Sequence, residues 1–153
     1  KSSGIKNGLV NAGGDLMAFG TRDGTQDWHI GLQHPRKPEA MIASMNLSGR
    51  AVATSGDYQR YFIQDGTRYH HILNPQNGQP ARSTISATVI ASSVTDADAL
   101  ATAVFVLGSD HGIALIDSLD GVEGMVLPKS GIPNFSSGFR SLPGFSFKGL
   151  DPR

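Results

Sequence analysis

The stretch VTDADALATAVFVLG, residues 94–108, limits the fold more than any other part of the chain. It follows STISATVIAS, which reads as a strand, and from Thr95 the apolar spacing changes to that of a helix running to Leu107. Gly108 suits the helix C-cap. A second helix is expected directly afterwards, over SDHGIALIDSL. The helix opens with three polar groups, Asp96, Asp98 and Thr102, in its first two turns, although the rest of it is apolar enough for a core.

The remaining chain divides into short runs separated by glycine turns. LVNAGGDLMAFG reads as two strands around Gly13-Gly14, and TRDGTQ as a turn in which Asp23-Gly24 signals a hairpin. DWHIGLQHP is a strand stopped by Pro35, RKPEA a surface loop, MIASMNLS a half-buried strand and RAVATSG an extended segment. YQRYFIQDG and TRYHHIL form a hairpin closed by Asp65-Gly66. NPQNGQPAR is irregular, VEGMVLP returns to strand, and residues 129–153 form an extended tail with GFRSLPGFSF as one edge strand. The fold class expected is α+β, a largely antiparallel sheet with two consecutive helices packed on one face.

Composition narrows the function classes. Thirteen basic and thirteen acidic residues cancel, so no charge bias steers the chain to nucleic acid or an anionic membrane. The absence of cysteine excludes disulfides, thiolate metal sites and a cysteine nucleophile. No apolar run approaches the roughly 20 residues of a membrane-spanning helix. A length of 153 residues fits one domain, and KSSGIKNGLV reads as the interior of a longer protein.

Three constellations carry possible chemistry. Asp98 and Thr102, four residues apart, place two oxygens on one stripe of the helix. Magnesium is satisfied by one or two carboxylates when waters and substrate phosphates fill its other positions. The competing reading makes Thr95 the N-cap and Asp98 its capping-box partner, with Asp96 as cap or solvent group. His70 and His71 are neighbours in a strand and point to opposite faces, so at most one enters a given site. His29, His34 and His111 are assigned structural roles. NAGGDL and ATSGD, containing Gly13, Gly14, Asp15, Ser55 and Gly56, read either as turns whose free N–H groups face an anion or as plain tight turns. Together these residues reach as far as metal-assisted phosphoryl chemistry. A Ser–His–Asp hydrolase fits less well, since no nucleophile elbow is present.

The motifs NAGGDLMAFG, GRAVATSGDYQRYF, YHHILNPQNGQPA and TDADALATAVFVLG, in this order, resemble consecutive blocks of the ApbE family, the FAD:protein FMN transferases. The resemblance covers most of residues 9–127 and corresponds to the C-terminal half of such a protein. It implies binding of FAD and Mg²⁺, and transfer of FMN through a phosphoester to a threonine of a target protein, with AMP released. It implies targets among subunits of membrane redox pumps, and a periplasmic, lipid-anchored location. Two other outcomes fall within it: flavin binding without transfer, and hydrolysis of FAD to FMN and AMP.

Residue by residue, the resemblance assigns Asp98 and Thr102 to the metal and Asp98 and His71 to catalysis, with His71 beside the reacting phosphate. Gly13, Gly14, Asp15, Ser55, Gly56 and His71 are assigned to the cofactor. Two departures stand out. NPQNG replaces the family's D-P-R-T-G, so Asn74, Gln76 and Asn77 stand for Asp, Arg and Thr, with an anion contact weakened by the loss of Arg. The N-terminal half of the family's domain, with its flavin contacts, is also missing from this chain.

Overall fold

The computed structural model of the chain describes residues 4–150; residues 1–3 and 151–153, the two ends of the expected N-terminal segment and tail, lie outside them. In chain order the elements are β1 Gly8–Ala12, β2 Asp15–Phe19, β3 Trp28–His34, β4 Lys37–Leu47, β5 Arg50–Gly56, β6 Tyr61–Gln64, β7 Thr67–His70 and β8 Thr84–Ala91. Helices α1 Val94–Leu107 and α2 Ser109–Asp117 come next, then β9 Glu123–Pro128, β10 Asn134–Phe135, a 3-10 turn at Phe139–Ser141 and β11 Ser146–Phe147.

The expected sheet is three. A six-stranded sheet in the order β1-β2-β5-β8-β9-β10 forms the middle layer, a three-stranded sheet β11-β4-β3 the second, and β6-β7 stand alone as a hairpin. All pairings described are antiparallel. Two cores lie on opposite faces of the large sheet. On the helix side, small strand residues (Ala51, Ala53, Ala87, Ala91) let α1 approach closely through Ala97 and Ala101. On the other side, Val52, Ile90 and Leu127 pack against Ile30, Ile42 and Met45 of the small sheet. The alternation of β5, with Ala51 and Ala53 on one core and Val52 on the other, is the period of two that a strand buried on both faces imposes.

The helix pair forms as expected, for a partly different reason. Ser93, not Thr95, is the N-cap: its hydroxyl accepts the Asp96 N–H at 3.1 Å and donates to the Asp96 carboxylate at 2.6 Å. Asp96 is therefore the cap partner, and Asp98 is released from the capping role that Thr95 would have given it. Gly108 ends α1 at φ 79° and opens α2 at once. The turn is tight because Gly112 sits on α1, where an added Cβ would lie 2.9 Å from a Val104 methyl.

Three further expectations are corrected. RKPEA is not a loop: β4 begins at Lys37, because the β3–β4 hairpin turns on Pro35-Arg36 alone and pairs His34 with Lys37. MIASMNLS is not half-buried, since Ile42, Ala43, Ser44 and Met45 are consecutive and all buried, which needs cover on both faces. Part of that cover is the tail. GFRSLPGFSF is not one edge strand but folds through the 3-10 turn, so that buried Phe139 meets Phe135 and Phe145 edge-on or tilted in the second core. The Asp23-Gly24 turn forms with positive φ, yet only a single bridge, Arg22 to Gln26, flanks it, because β2 pairs onward with β5 while β3 leaves for the other sheet.

Candidate active site

A cleft of about 640 Å³ opens where β2, β5, the start of α1 and the segment after β5 converge. Its size is that of a cofactor site. Leu16, Ile30, Leu32 and Val52 line it with apolar surface. The residues assigned from sequence, Gly13, Gly14, Asp15, Ser55, Gly56, His71, Asp98 and Thr102, all line it as well, though they come from four separate segments.

Helix α1 supplies the first wall. Its buried stripe, Ala97, Ala101, Val104 and Phe105, turns Asp98 and Thr102 outwards together on the cleft side, one turn apart. Ser55 on β5 meets Thr102 hydroxyl to hydroxyl at 2.9 Å, which fixes the rotamer of both. Asp15, the first residue of β2, faces Asp98. Its carboxyl is held above the usual range, first by burial and then by the Asp98 charge. Two carboxylates and a hydroxyl facing one space are hard oxygen donors, and a divalent cation there would relieve the repulsion between the carboxylates. Among the described residues no group of three or more His, Asp or Glu could close around a metal. The donor set therefore fits an ion that takes its remaining ligands from water and phosphate, as Mg²⁺ does.

The glycine turns do something other than expected. The N–H of Gly14 is not free for an anion, because it donates to the Asn11 side chain at 2.9 Å. Gly13 and Gly14 are required by their φ of 70° and 113°, not by crowding, since an added Cβ at either would meet nothing within 4 Å. Ser55 and Gly56 are not in a turn at all; they continue β5 and pair with Ala87 and Ser86 of β8. At Gly56 a Cβ would lie 2.5 Å from the Tyr58 ring, so glycine lets the tyrosine fold back over the strand. Burial, then the Asp57 charge, pushes the Tyr58 hydroxyl up to about 12, so it stays protonated at any working pH.

The second wall is the segment from Gly56 through the β6–β7 hairpin to His71. The two histidines separate as the strand geometry requires, although His71 lies just beyond β7. His70 is buried, its Nε2 bonds the Ala81 carbonyl group at 2.8 Å, and Phe105 meets its ring edge-on. Burial lowers its pKa, outweighing that carbonyl and Asp57. His71 is exposed and lines the cleft, and its N–H donates to the Arg60 carbonyl at 3.2 Å.

Sequence reasoning missed three contributors to this wall. Arg60 lines the cleft and is the one arginine or lysine among its lining residues. Asp57, 3% exposed, receives a bidentate pair from Arg36 at 2.6 and 2.8 Å, and its carbonyl accepts from Arg68 at 3.3 Å. Arg36 was hidden in the stretch taken for a loop; the nearby SGD was the only available sign of Asp57. By contrast, Gln76 lies outside the cleft residues, and Asn74 and Asn77 line a separate shallow recess with Arg82. Gln76, which stands where the family motif has arginine, is thus not a lining residue of this cleft.

Fold and cleft together define the class: an α+β protein in which an oxygen-donor helix turn faces an imidazole across a cofactor-sized cavity. The chain belongs to the ApbE family, whose model matches residues 1–126. It is 36% identical over 128 residues to the FAD:protein FMN transferase of Klebsiella pneumoniae strain 342, covering 82% of this chain and 39% of that protein. The Vibrio cholerae FAD:protein FMN transferase is 36% identical over 151 residues, 97% of this chain and 43% of that one. Among solved structures, the ApbE protein of Thermotoga maritima superposes with a TM-score of 0.81 at 43% identity, covering 89% of this chain and 44% of that one. The apo flavinyl transferase ApbE of Pseudomonas stutzeri does so with a TM-score of 0.76 at 36% identity, covering 94% and 45%. The chain thus spans somewhat under half the length of these relatives.

Proposed function

We propose that the protein containing this chain is a Mg²⁺-dependent FAD:protein FMN transferase. It would cleave the pyrophosphate of FAD, attach FMN through a phosphoester to a threonine of an acceptor protein, and release AMP. The observation that carries the reading is the placement of Asp98 and Thr102 on one helix turn, with His71 lining the same cleft. The relatives' names, FAD:protein FMN transferase and flavinyl transferase, support the same chemistry.

In this reading Asp98 and Thr102, with Asp15 opposite, would hold Mg²⁺, which when bound would supply positive charge to offset that of the pyrophosphate. Ser55 keeps the Thr102 oxygen turned to the cleft through their hydrogen bond. Arg60 binds a phosphate oxygen as a cation at the rim. The imidazole of His71 takes the proton from the acceptor hydroxyl as its oxygen attacks the FMN phosphorus. The bond from that phosphorus to the bridging oxygen breaks, and AMP departs with it. The apolar lining, Leu16, Ile30, Leu32 and Val52, takes part of the cofactor and keeps water from the reacting atoms. Membrane redox-pump subunits as acceptors, and a periplasmic, lipid-anchored location, belong to the same proposal through family resemblance.

The test uses the full-length protein with FAD, Mg²⁺ and an acceptor protein, separated on a denaturing gel. A fluorescent flavin band at the acceptor, lost on chelation of the metal, is the expected result. Release of AMP and free FMN with no flavin on the acceptor would replace transfer by hydrolysis. Bound FAD recovered intact would leave a flavin-binding protein only.

A further inference from the structure

In the β6–β7 hairpin all four residues of β6 are exposed, whereas β7 is half-buried to buried. Tyr61, Phe62 and Ile63 are consecutive and 46%, 60% and 61% exposed. Neither strand pairs with a third among the described residues. Exposed apolar strand edges invite pairing with another chain and are normally covered or charged. This one is ordered rather than loose: Phe62 stacks on Tyr69 at 5.2 Å, Arg68 lies 3.7 Å over the Tyr61 ring, and Arg82 lies 5.4 Å from Tyr69. Its two ends return to the active site. Arg60 immediately precedes β6, His71 immediately follows β7, and the bond from the His71 N–H to the Arg60 carbonyl closes the base.

We propose that this hairpin is the docking ledge for the acceptor protein, which lies along it as an extended, net acidic segment carrying apolar side chains and presents its hydroxyl to His71. The inference rests on the flavin-transfer reading and names where that reaction's second substrate binds. Charge selects the occupant. Arg68 over Tyr61 and Arg82 beside Tyr69 put one cation on each side of the ribbon and Arg60 stands at its base, whereas the hairpin itself carries only the exposed carboxylate of Asp65, because the Asp57 carboxylate is taken up by Arg36. Strand addition supplies main-chain hydrogen bonds and register, and the Phe62–Tyr69 stack supplies an apolar anchor. The geometry also sets direction: a segment held along the hairpin arrives at its base, where the imidazole stands.

The experiment uses the full-length protein and a dye-labelled fifteen-residue peptide with one central threonine among aspartates and leucines, and the same peptide with lysines for the aspartates. Peptide binding is read by anisotropy, and FAD binding by quenching of flavin fluorescence. The acidic peptide is expected to bind at least about tenfold more tightly than the basic one. Phe62→Ser with Ile63→Thr should weaken it by about tenfold. Arg82→Glu should weaken the acidic peptide and strengthen the basic one, with FAD affinity unchanged within about twofold in both variants. Equal affinity for the two peptides, or wild-type affinity in both variants, overturns the ledge while leaving flavin transfer standing. A photo-crosslinker at position 62 that attaches to the same polypeptide, or to a second copy, instead of the peptide also overturns it. Failure of the wild-type protein to bind FAD overturns the transfer reading, and the ledge with it.

Discussion

On one side of the cleft, Asp98 and Thr102 stand on a helix whose opposite face, Ala97, Ala101, Val104 and Phe105, is fully buried. On the other side, Arg60 and His71 stand at the ends of a hairpin whose strands pair only with each other among the described residues. The first wall is positioned by close packing of small residues, which does not depend on pH or salt. The second is positioned by buried polar bonds: Arg36 to Asp57, Arg68 to the Asp57 carbonyl, and His70 to the Ala81 carbonyl. The difference shows how one fold can set a wall fixed by apolar packing against a wall held by a few side-chain bonds.

The largest expected effect tests the packed wall. In the full-length protein, Asp98→Ala should lower the transfer rate by at least about a thousandfold and abolish its response to Mg²⁺. The fold should be unaffected, since Asp98 is exposed and makes no cap. Retained Mg²⁺-dependent turnover would remove the helix from the metal site. Next, His71→Ala should cost about a hundredfold or more in transfer, with FAD affinity nearly unchanged. Parallel loss of both would reduce His71 to a structural part of the hairpin.

The polar wall is broken at its clamp. Arg36→Gln leaves the buried Asp57 carboxylate without its bidentate partner, and should cost about 1.5–3 kcal/mol in denaturant unfolding. FAD affinity should fall with it, and Arg36→Lys should restore only part of both, since a lysine cannot make two parallel bonds. An Arg36→Gln protein of wild-type stability would show that the segment after β5 is held some other way. The smallest effect concerns His70. Its pKa is lowered in the fold, so protonation favours the unfolded chain. The stability it contributes is fully present above the ordinary histidine value of about 6.5 and is lost as pH falls from there through the lower folded value. The melting temperature should therefore drop between neutral and mildly acidic pH, and His70→Gln should flatten that slope.

Much of the fold was legible locally. Turn glycines, Asp-Gly pairs and the change of period at Thr95 are short-range signals, and each lay within a residue or two of a real turn or element start. The pairing of Asp98 with Thr102 was legible too, because helical geometry alone puts residues four apart on one stripe. The capping of α1 was misread because two hydroxyl residues, Ser93 and Thr95, compete for the cap, and the backbone bond to Asp96 decides between them. β4 was misread because its first residues are charged or proline, and only pairing with β3 makes them strand.

The chain's own residue order was enough to establish most of the secondary elements, the family motifs and that His70 and His71 point apart, since all of these depend on contacts or periodicities within a few residues. The division into two sheets and a free hairpin, the Arg36–Asp57 clamp across 21 positions and the meeting of Asp15 with Asp98 came only with the folded chain. Those relations join residues far apart in sequence, and burial in the completed fold is what gives charge and hydrogen bonding there their strength.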